Sequence, residues 1–345
     1  MSGDGARYRT GDSDLDRRIG ELLDAADVGR DRDLTFELVA AALRMGREGL
    51  DRLDLKIANT TLREMHAAFH VFGPYRDLRK VAMFGSARTR PDEPAYRAAV
   101  KLGRAATEAG WMLITGGGPG IMTAGIEGAG PEDSFAVNIV LPFEPTGGGA
   151  LLGEGRTVNF RYFFNRKVTF MREASGYLLL PGGFGTMDEA FELLTLLQTG
   201  REVPAPVVLF EPPGDAYWRQ FRHFLDVELL DAGLIEREDL DLFHLTSDVD
   251  DAVAHLTGFF RVFHSLRHVG GRLVLRLTTE PTDAQIDALN EEFADIVAAG
   301  MIERCGPSRV ELADDDATGL PRIRFRFVNA RYARLHALIR RVNTF

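Results

Sequence analysis

Between residues 81 and 260 the chain repeats one pattern: a short apolar run, then a glycine or proline, then a helical segment. Residues 81–84 run into Gly85-Ser86, and residues 111–115 into Gly116-Gly117-Gly118-Pro119-Gly120. Residues 135–141 stop at Pro142, and residues 177–180 stop at Pro181-Gly182-Gly183-Phe184-Gly185. Residues 207–210 form a fifth run, and 243–245 read as an edge strand. Helical spacing appears over 94–109, 121–128, 160–172, 187–198, 216–230 and 249–260. Strands that are apolar throughout must be covered on both faces, so the pattern predicts an α/β fold, a parallel sheet with helices on each side. Ligands of such sheets bind beyond the carboxyl ends of the strands, which is where these turns fall.

The flanks read differently. Residues 1–12 show no apolar pattern and are expected to be disordered. Ile19, Leu22 and Leu23, then Leu38, Val39 and Leu43, then Leu55, Leu62, Met65 and Phe69 recur at helical spacing. They predict a helical N-terminal extension over 1–74, ahead of an α/β domain over 75–265. From Arg267 the period changes. Leu273, Leu275 and Leu277 alternate within a strand over 272–278. A helix is expected over 283–299, strands over 309–312 and 322–328, and a helix over 332–342. This is a small α+β appendage, residues 266–345, in the order β-α-β-β-α. Its strand RIRFRF sets Arg322, Arg324 and Arg326 on one face, expected to be solvated, with an anionic effector as the alternative.

A strand that ends in a glycine-rich turn before a helix gathers unpaired backbone N–H groups and the positive end of the helix, and that arrangement binds phosphate. Two such turns, residues 116–120 and 181–185, share one domain with the carboxylate of Glu189. Together they indicate an enzyme acting on a phosphorylated small molecule. Thr186-Met187-Asp188-Glu189 also fits a capping box, with Thr186 as the cap and Glu189 folding back to it. The glycines at 182, 183 and 185 exceed what a cap needs and let a ligand approach the backbone. Favourable interaction with the helix dipole accounts for Asp188. Arg166 and Lys167 lie on the helix that feeds this strand, about 100° apart around its axis; one of them can reach the cradle while the other is solvated. Asn159, Arg161 and Asn165 are secondary polar positions. Residues 145–158, rich in glycine, read as a mobile loop or lid.

Other chemistries lack their residues. A net charge of −10 argues against nucleic-acid binding, which needs a basic surface. Cys305 stands alone, so no disulfide framework or cysteine metal site is expected. His66 and His70, and His264 and His268, have helical spacing but no third ligand nearby, and no metal is expected. G-x-G-x-x-G, the Walker loop and G-x-S-x-G are absent from the sequence. The N-terminus is polar, and no run of about 18 apolar residues occurs. A cytoplasmic protein without a membrane partner is expected.

At its motifs the chain resembles the LONELY GUY (LOG) family of nucleoside 5′-monophosphate phosphoribohydrolases. The signature PGGxGTxxE is present as Pro181 to Glu189, Arg-Lys as Arg166-Lys167, the glycine element as GGGPGIM from Gly116 to Met122, and FGSAR as Phe84 to Arg88. The run before Arg166 is Tyr-Phe-Phe-Asn, similar to the bacterial branch rather than to the Met-His-x run of the cytokinin-type members. Thr123 stands where that branch commonly has Glu.

The resemblance implies a Rossmann-like fold, a homodimer with sites near the interface, and hydrolysis of the N-glycosidic bond of a nucleoside 5′-monophosphate to free base and ribose 5-phosphate, with no cofactor. It assigns Glu189 and Arg166 as catalytic. Substrate contacts go to Gly85, Ser86, Gly117, Gly118, Gly120, Lys167, Gly182, Gly183, Gly185 and Thr186. Gly118, Gly120, Gly183, Gly185 and Thr186 would hold the 5′-phosphate. Glu189 would bind the ribose hydroxyls and stabilise the cation or orient water, and Arg166 would contact the phosphate or assist the leaving base. Members are often labelled lysine decarboxylases. That chemistry needs a pyridoxal phosphate Schiff-base lysine, and among Lys56, Lys80, Lys101 and Lys167 only Lys167 lies near the motifs. The alternatives are a non-catalytic carrier of a phosphorylated ligand such as molybdenum cofactor, and an enzyme controlled by a nucleotide effector on residues 267–345.

Overall fold

The computed structural model describes residues 8–140, 151–153 and 155–345. Residues 1–7 of the expected disordered start, and 145–150 and 154 of the expected loop over 145–158, lie outside the described residues. The chain divides into two compact units, Met1–His66 and Ala67–Phe345. In the first, α1 (Ser13–Ala25) and α2 (Arg32–Arg47) pack around Ile19, Leu23 and Ala40. Asp12 caps α1 by accepting from the N–H groups of Asp14 and Leu15. A third helix, α3 (Arg52–Phe72), runs across the division.

The second unit opens with the parallel sheet. Its strands are β1 (Lys80–Phe84), β2 (Met112–Thr115), β3 (Ser134–Ile139), β4 (Thr157–Phe160), β5 (Gly176–Leu179), β6 (Val207–Phe210) and β7 (His244–Thr246). Their order is β4-β3-β2-β1-β5-β6-β7, every pair parallel. The chain steps outward from β1 to β4 and then returns to the other side of β1 with β5. The switch of direction therefore lies between β1 and β5, where an open α/β sheet has its ligand crevice.

Alternate residues of each strand feed two cores. Ala82, Phe84, Ile114, Phe135, Val137, Tyr177, Leu179 and Leu209 pack on one face with α6 (Phe163–Glu173), α7 (Phe184–Gln198) and α8 (Tyr217–Phe224). Val81, Met83, Leu113, Leu178, Leu180, Val208 and Phe210 pack on the other with α4 (Pro94–Glu108), α5 (Ile121–Ala129) and α9 (Val249–Gly258). The double coverage explains the continuous apolar runs. β4 is not foreseen by the pattern, because a four-residue edge strand with only Val158 and Phe160 buried carries too little periodicity. The helix expected over 216–230 stops at Phe224 and continues as a π-helical turn, Leu225–Leu230.

The same unit holds an antiparallel sheet, in the order β10-β11-β9-β8. Its strands are β8 (Phe263–Val269), β9 (Arg272–Leu277), β10 (Val297–Cys305) and β11 (Arg322–Phe327). On it lie α10 (Asp283–Glu292) and α12 (Tyr332–Val342), which bury Leu289, Leu335, Leu338, Ile339 and Val342 with Leu273, Leu275, Ile323 and Phe325. The α+β class is as expected, but three elements differ. β8 is an extra strand, paired with β9 as a hairpin across Gly270 and Gly271, both at positive φ. The helix expected over 283–299 ends near Phe293, and its last residues enter β10. Residues 309–312 form a short helix, α11 (Arg309–Ala313), because Ser308 and Glu311 close a capping box.

The expected solvated arginine face is also corrected. Arg322 is buried, bonded through Nε to Glu311 Oε1 at 3.2 Å, and Arg324 pairs with Glu303 at 2.8 Å. Arg326 alone of the three is exposed. Among the described residues no helix is long and apolar enough to cross a membrane.

Candidate active site

Two hydrogen bonds draw the carboxyl ends of β1 and β5 together: Leu180 N–H donates to Phe84 O at 2.9 Å, and Ser86 N–H to Pro181 O at 3.1 Å. A cleft of about 790 Å³ opens there. Its walls include Gly85, Ser86, Gly116 to Pro119, Asn138, Asn159, Arg166, Gly182 to Glu189 and Tyr217. The sequence-predicted residues Gly85, Ser86, Gly117, Gly118, Arg166, Gly182, Gly183, Gly185, Thr186 and Glu189 thus share one cavity. Gly120 and Lys167 stand outside its lining.

Gly120 has a different task. It caps α5 at φ +68°, and a Cβ there would lie 2.3 Å from Ser86 O. Ile121 N–H bonds to that same oxygen at 3.1 Å. Only glycine lets the α5 start sit this close to the turn after β1. The turn after β2 is pinned as well. Gly117, at φ +70°, has Thr115 Oγ1 accepting its N–H at 3.2 Å, and a Cβ there would fall 1.7 Å from Asn138 Oδ1. Thr123 Oγ1 donates to Gly118 O at 3.0 Å.

Helix α7 begins at Phe184, not near Thr186, and Gly183 is its cap, with no side-chain cap bond. The capping-box reading of Thr186 and Glu189 is therefore overturned: Glu189 lies in the second turn, out of reach of the cap N–H. The first intrahelical bond runs from Met187 N–H to Gly183 O at 3.1 Å. The N–H groups of Phe184, Gly185 and Thr186 have no partner within the helix, and all three residues line the cleft. Added Cβ atoms on Gly183 and Gly185 would meet nothing within 4 Å, so space lies beside the backbone there. This is a helix N-terminus open to an anion.

Glu189 is 5% exposed, and its Oε2 has no hydrogen-bond partner among the described residues. Burial raises its carboxyl to about 7, against the opposing pull of Lys167 and Arg166. Arg166 donates from Nε to Val137 O at 2.9 Å, and its Nη2 packs against Gly116. Burial lowers its pKa, while Glu189 and Asp188 oppose that shift. Lys167 Nζ lies 3.0 Å from Asp188 Oδ1 and 2.5 Å from Glu192 Oε2. Burial works against its charge, but the bonds to Glu192 and Asp188 raise its pKa. The adjacent bases diverge as helix geometry requires: Arg166 faces the cleft, and Lys167 ties α6 to α7.

Asn138, Met122, Arg88 and Tyr217 also line the cleft and were not singled out from the sequence. Arg88 lies inside the FGSAR run, where its position after the end of β1 was the available signal; Asn138 lies within β3 and had none. Tyr217 had none, because its approach depends on tertiary packing. Asn159, a secondary candidate, accepts from Asn138 Nδ2 at 3.2 Å.

Comparison with known proteins gives matches for this core. Residues 121–256 match the family model described as possible lysine decarboxylase. The probable cytokinin riboside 5′-monophosphate phosphoribohydrolase LOGL5 of Oryza sativa subsp. japonica is 33% identical over 153 residues, covering 43% of this chain and 59% of that protein. The cytokinin riboside 5′-monophosphate phosphoribohydrolase LOG of the same organism is 30% identical over 165 residues, covering 46% of this chain and 64% of that protein. The chain thus spans less than two thirds of the length of these relatives. Among solved structures, the molybdenum cofactor carrier protein of Chlamydomonas reinhardtii aligns with a TM-score of 0.36 and 21% identity, over 52% of this chain and 96% of that one. A likeness at that level says nothing of function. The motifs, the family-model match and the curated relatives agree: the parallel-sheet core of this chain is similar to the cytokinin riboside 5′-monophosphate phosphoribohydrolases of the LONELY GUY family.

Proposed function

We propose that this cleft hydrolyses the N-glycosidic bond of a nucleoside 5′-monophosphate, releasing free base and ribose 5-phosphate. One observation carries the reading: a buried carboxylate, Glu189, whose Oε2 has no hydrogen-bond partner among the described residues, lines the same cavity as an open helix N-terminus. A carrier of a phosphorylated ligand needs the N–H cradle but gains nothing from an unpaired buried acid, which lowers stability when it ionises. The matched relatives bear the name of this reaction, on cytokinin riboside 5′-monophosphates.

The 5′-phosphate binds at the N–H groups that open α7, and the Arg166 charge beside the Gly116 turn counters its negative charge. Holding the phosphate uses remote binding energy to place the ribose against Glu189. As the C1′–N bond breaks, positive charge develops on the ribose as an oxocarbenium-like state, as in other glycoside hydrolyses. Ionised Glu189 faces that charge and takes a proton from the attacking water. The water oxygen bonds to C1′, and the base departs with the electron pair of the old bond and takes a proton from solvent, while Glu189 releases to solvent the proton it took from the water. A carboxyl titrating near 7 is matched to that task. Lys167, held between Asp188 and Glu192 outside the cleft, has no part in bond breaking. The test is incubation with AMP, GMP, CMP, UMP, dAMP and isopentenyladenosine monophosphate. Release of free base from at least one is expected; no release from any by folded protein contradicts the reading.

We further infer a homo-oligomer. Phe163 and Phe164 are half-exposed beside the cleft, and Phe184 at the start of α7 is 96% exposed. Apolar surface of this kind marks an interface. Sedimentation at micromolar concentration is expected to give a dimer mass or larger, and a monomer mass would remove the inference.

A further inference from the structure

The cradle contains a weak link. The peptide between Gly182 and Gly183 joins two glycines, so no Cβ restricts its rotation. It also lies immediately ahead of α7, before the helical bonds that fix the later peptides. The chain has no cis peptide among its described residues. In a planar trans peptide the carbonyl and the following N–H point in opposite directions. Whatever fixes the Gly182 carbonyl therefore also fixes the Gly183 N–H. Gly183 lines the cleft and has open space at its Cα.

The Gly182 carbonyl is held by Tyr217, whose hydroxyl donates to it at 2.7 Å. The phenol is itself anchored. Tyr217 is the first residue of α8, and two carboxylates secure that helix start. Asp215 Oδ1 accepts from Ala216 N–H at 2.7 Å and Tyr217 N–H at 3.1 Å. Glu211, buried at the end of β6, accepts through Oε2 from Trp218 N–H at 2.8 Å and Arg219 N–H at 3.0 Å. Trp218 is buried and meets the Tyr217 ring edge-on, with centroids 4.9 Å apart. On the opposite side Ser86 N–H holds Pro181 O. Two successive peptides, 181–182 and 182–183, are thus gripped by their carbonyls, one from the turn after β1 and one from α8.

We propose that Tyr217 is a positioning residue for the phosphate cradle: its hydroxyl locks the Gly182–Gly183 peptide so that the Gly183 N–H is oriented before the ligand arrives. The inference rests on the reading of the cleft as a phosphate site. It explains how a segment can be glycine-rich enough for close approach and still be ordered. Preorganised donors bind more tightly than donors that must be oriented on binding.

Tyr217→Phe removes the hydroxyl and keeps the ring against Trp218. Calorimetry on the full chain with ribose 5-phosphate as probe is expected to show Kd raised about tenfold, consistent with loss of one orienting hydrogen bond. The same variant should raise KM for a nucleoside monophosphate that is turned over more than it lowers kcat, with the unfolding temperature nearly unchanged. Equal affinity for ribose 5-phosphate in parent and variant overturns the role of Tyr217 and leaves the cleft as a phosphate site. A weakening that only follows a large fall in unfolding temperature also overturns it, because the residue is then structural. If the parent chain itself does not bind ribose 5-phosphate, the phosphate reading fails and this inference fails with it.

Discussion

Glu189→Gln is expected to lower kcat by about 10²–10⁴-fold, the range for removing a general base or an electrostatic stabiliser, while nucleotide KM changes only a few-fold. The phosphate cradle is backbone and does not depend on this side chain. The same substitution should not destabilise the fold. The Glu189 carboxyl is raised from an ordinary 4.5 to about 7, so the folded state favours its protonated form. Between those values the folded chain holds a proton that the unfolded chain has lost, and stability falls as pH rises. Above about 7 the carboxylate is charged and buried, at a cost of roughly 3 kcal/mol, since each pKa unit is worth about 1.4 kcal/mol. The glutamine variant should therefore be more stable than the parent at pH 8, with the gap closing toward pH 4.5. If Glu189 acts ionised, kcat/KM of the parent should rise with pH through about 7. Retained turnover in the variant, with a stability loss of the size a lost helix cap gives, about 0.5–2 kcal/mol, would make Glu189 a structural residue after all.

Glu311→Ala is expected to cost about 3–5 kcal/mol of stability, the range for breaking a buried ion pair by removing one partner. Glu311 is 1% exposed. Its Oε1 accepts from Arg276 Nη2 at 2.9 Å and Arg322 Nε at 3.2 Å, and its Oε2 from Ser308 N–H at 2.9 Å. Removing the acid leaves two guanidinium groups facing a cavity, with Asp316 the remaining carboxylate on Arg276, at 2.6 Å. Burial alone would raise the Glu311 carboxyl, but the bonds from Ser308, Arg276 and Arg322 outweigh it and hold it at about 2. Its contribution is fully present above about 4.5 and is lost as pH falls toward 2. Urea unfolding at pH 7 measures the loss; a change below about 1 kcal/mol would show that the network is not a support. The same geometry bears on the anionic effector considered for this segment. Arg322 and Arg324 are already committed to carboxylates, so a ligand would have to displace Glu311 or Glu303.

How much of this was legible depended on whether the determinant was local. The parallel sheet was readable because continuous apolar runs such as residues 177–180 require cover on both faces, and each ends in a turn that glycine or proline marks. The cleft was readable for the same reason: strand ends converge at the switch point, and turns at 85, 116 and 182 must meet there. Glu189 was ambiguous. Thr-x-x-Glu fits both a capping box and a site, and only the true start of α7 at Phe184 separates them. Tyr217 and Asn138 were invisible, since their roles depend on contacts with Gly182 and Gly117 from distant segments. In the C-terminal sheet, Arg322, Arg324 and Arg326 do alternate along a strand, but the face they share is covered at Arg322 by α11, which a strand reading of 309–312 could not supply.

On the proposed function, one cleft cleaves the bond between base and ribose while the phosphate stays on the sugar. The direct measurement is product stoichiometry from a nucleoside 5′-monophosphate by parent chain and Glu189→Gln side by side. Free base and ribose 5-phosphate in equal amounts from the parent, and neither from the variant, is the predicted result. Nucleoside and inorganic phosphate, or equal base release from both proteins, would contradict it.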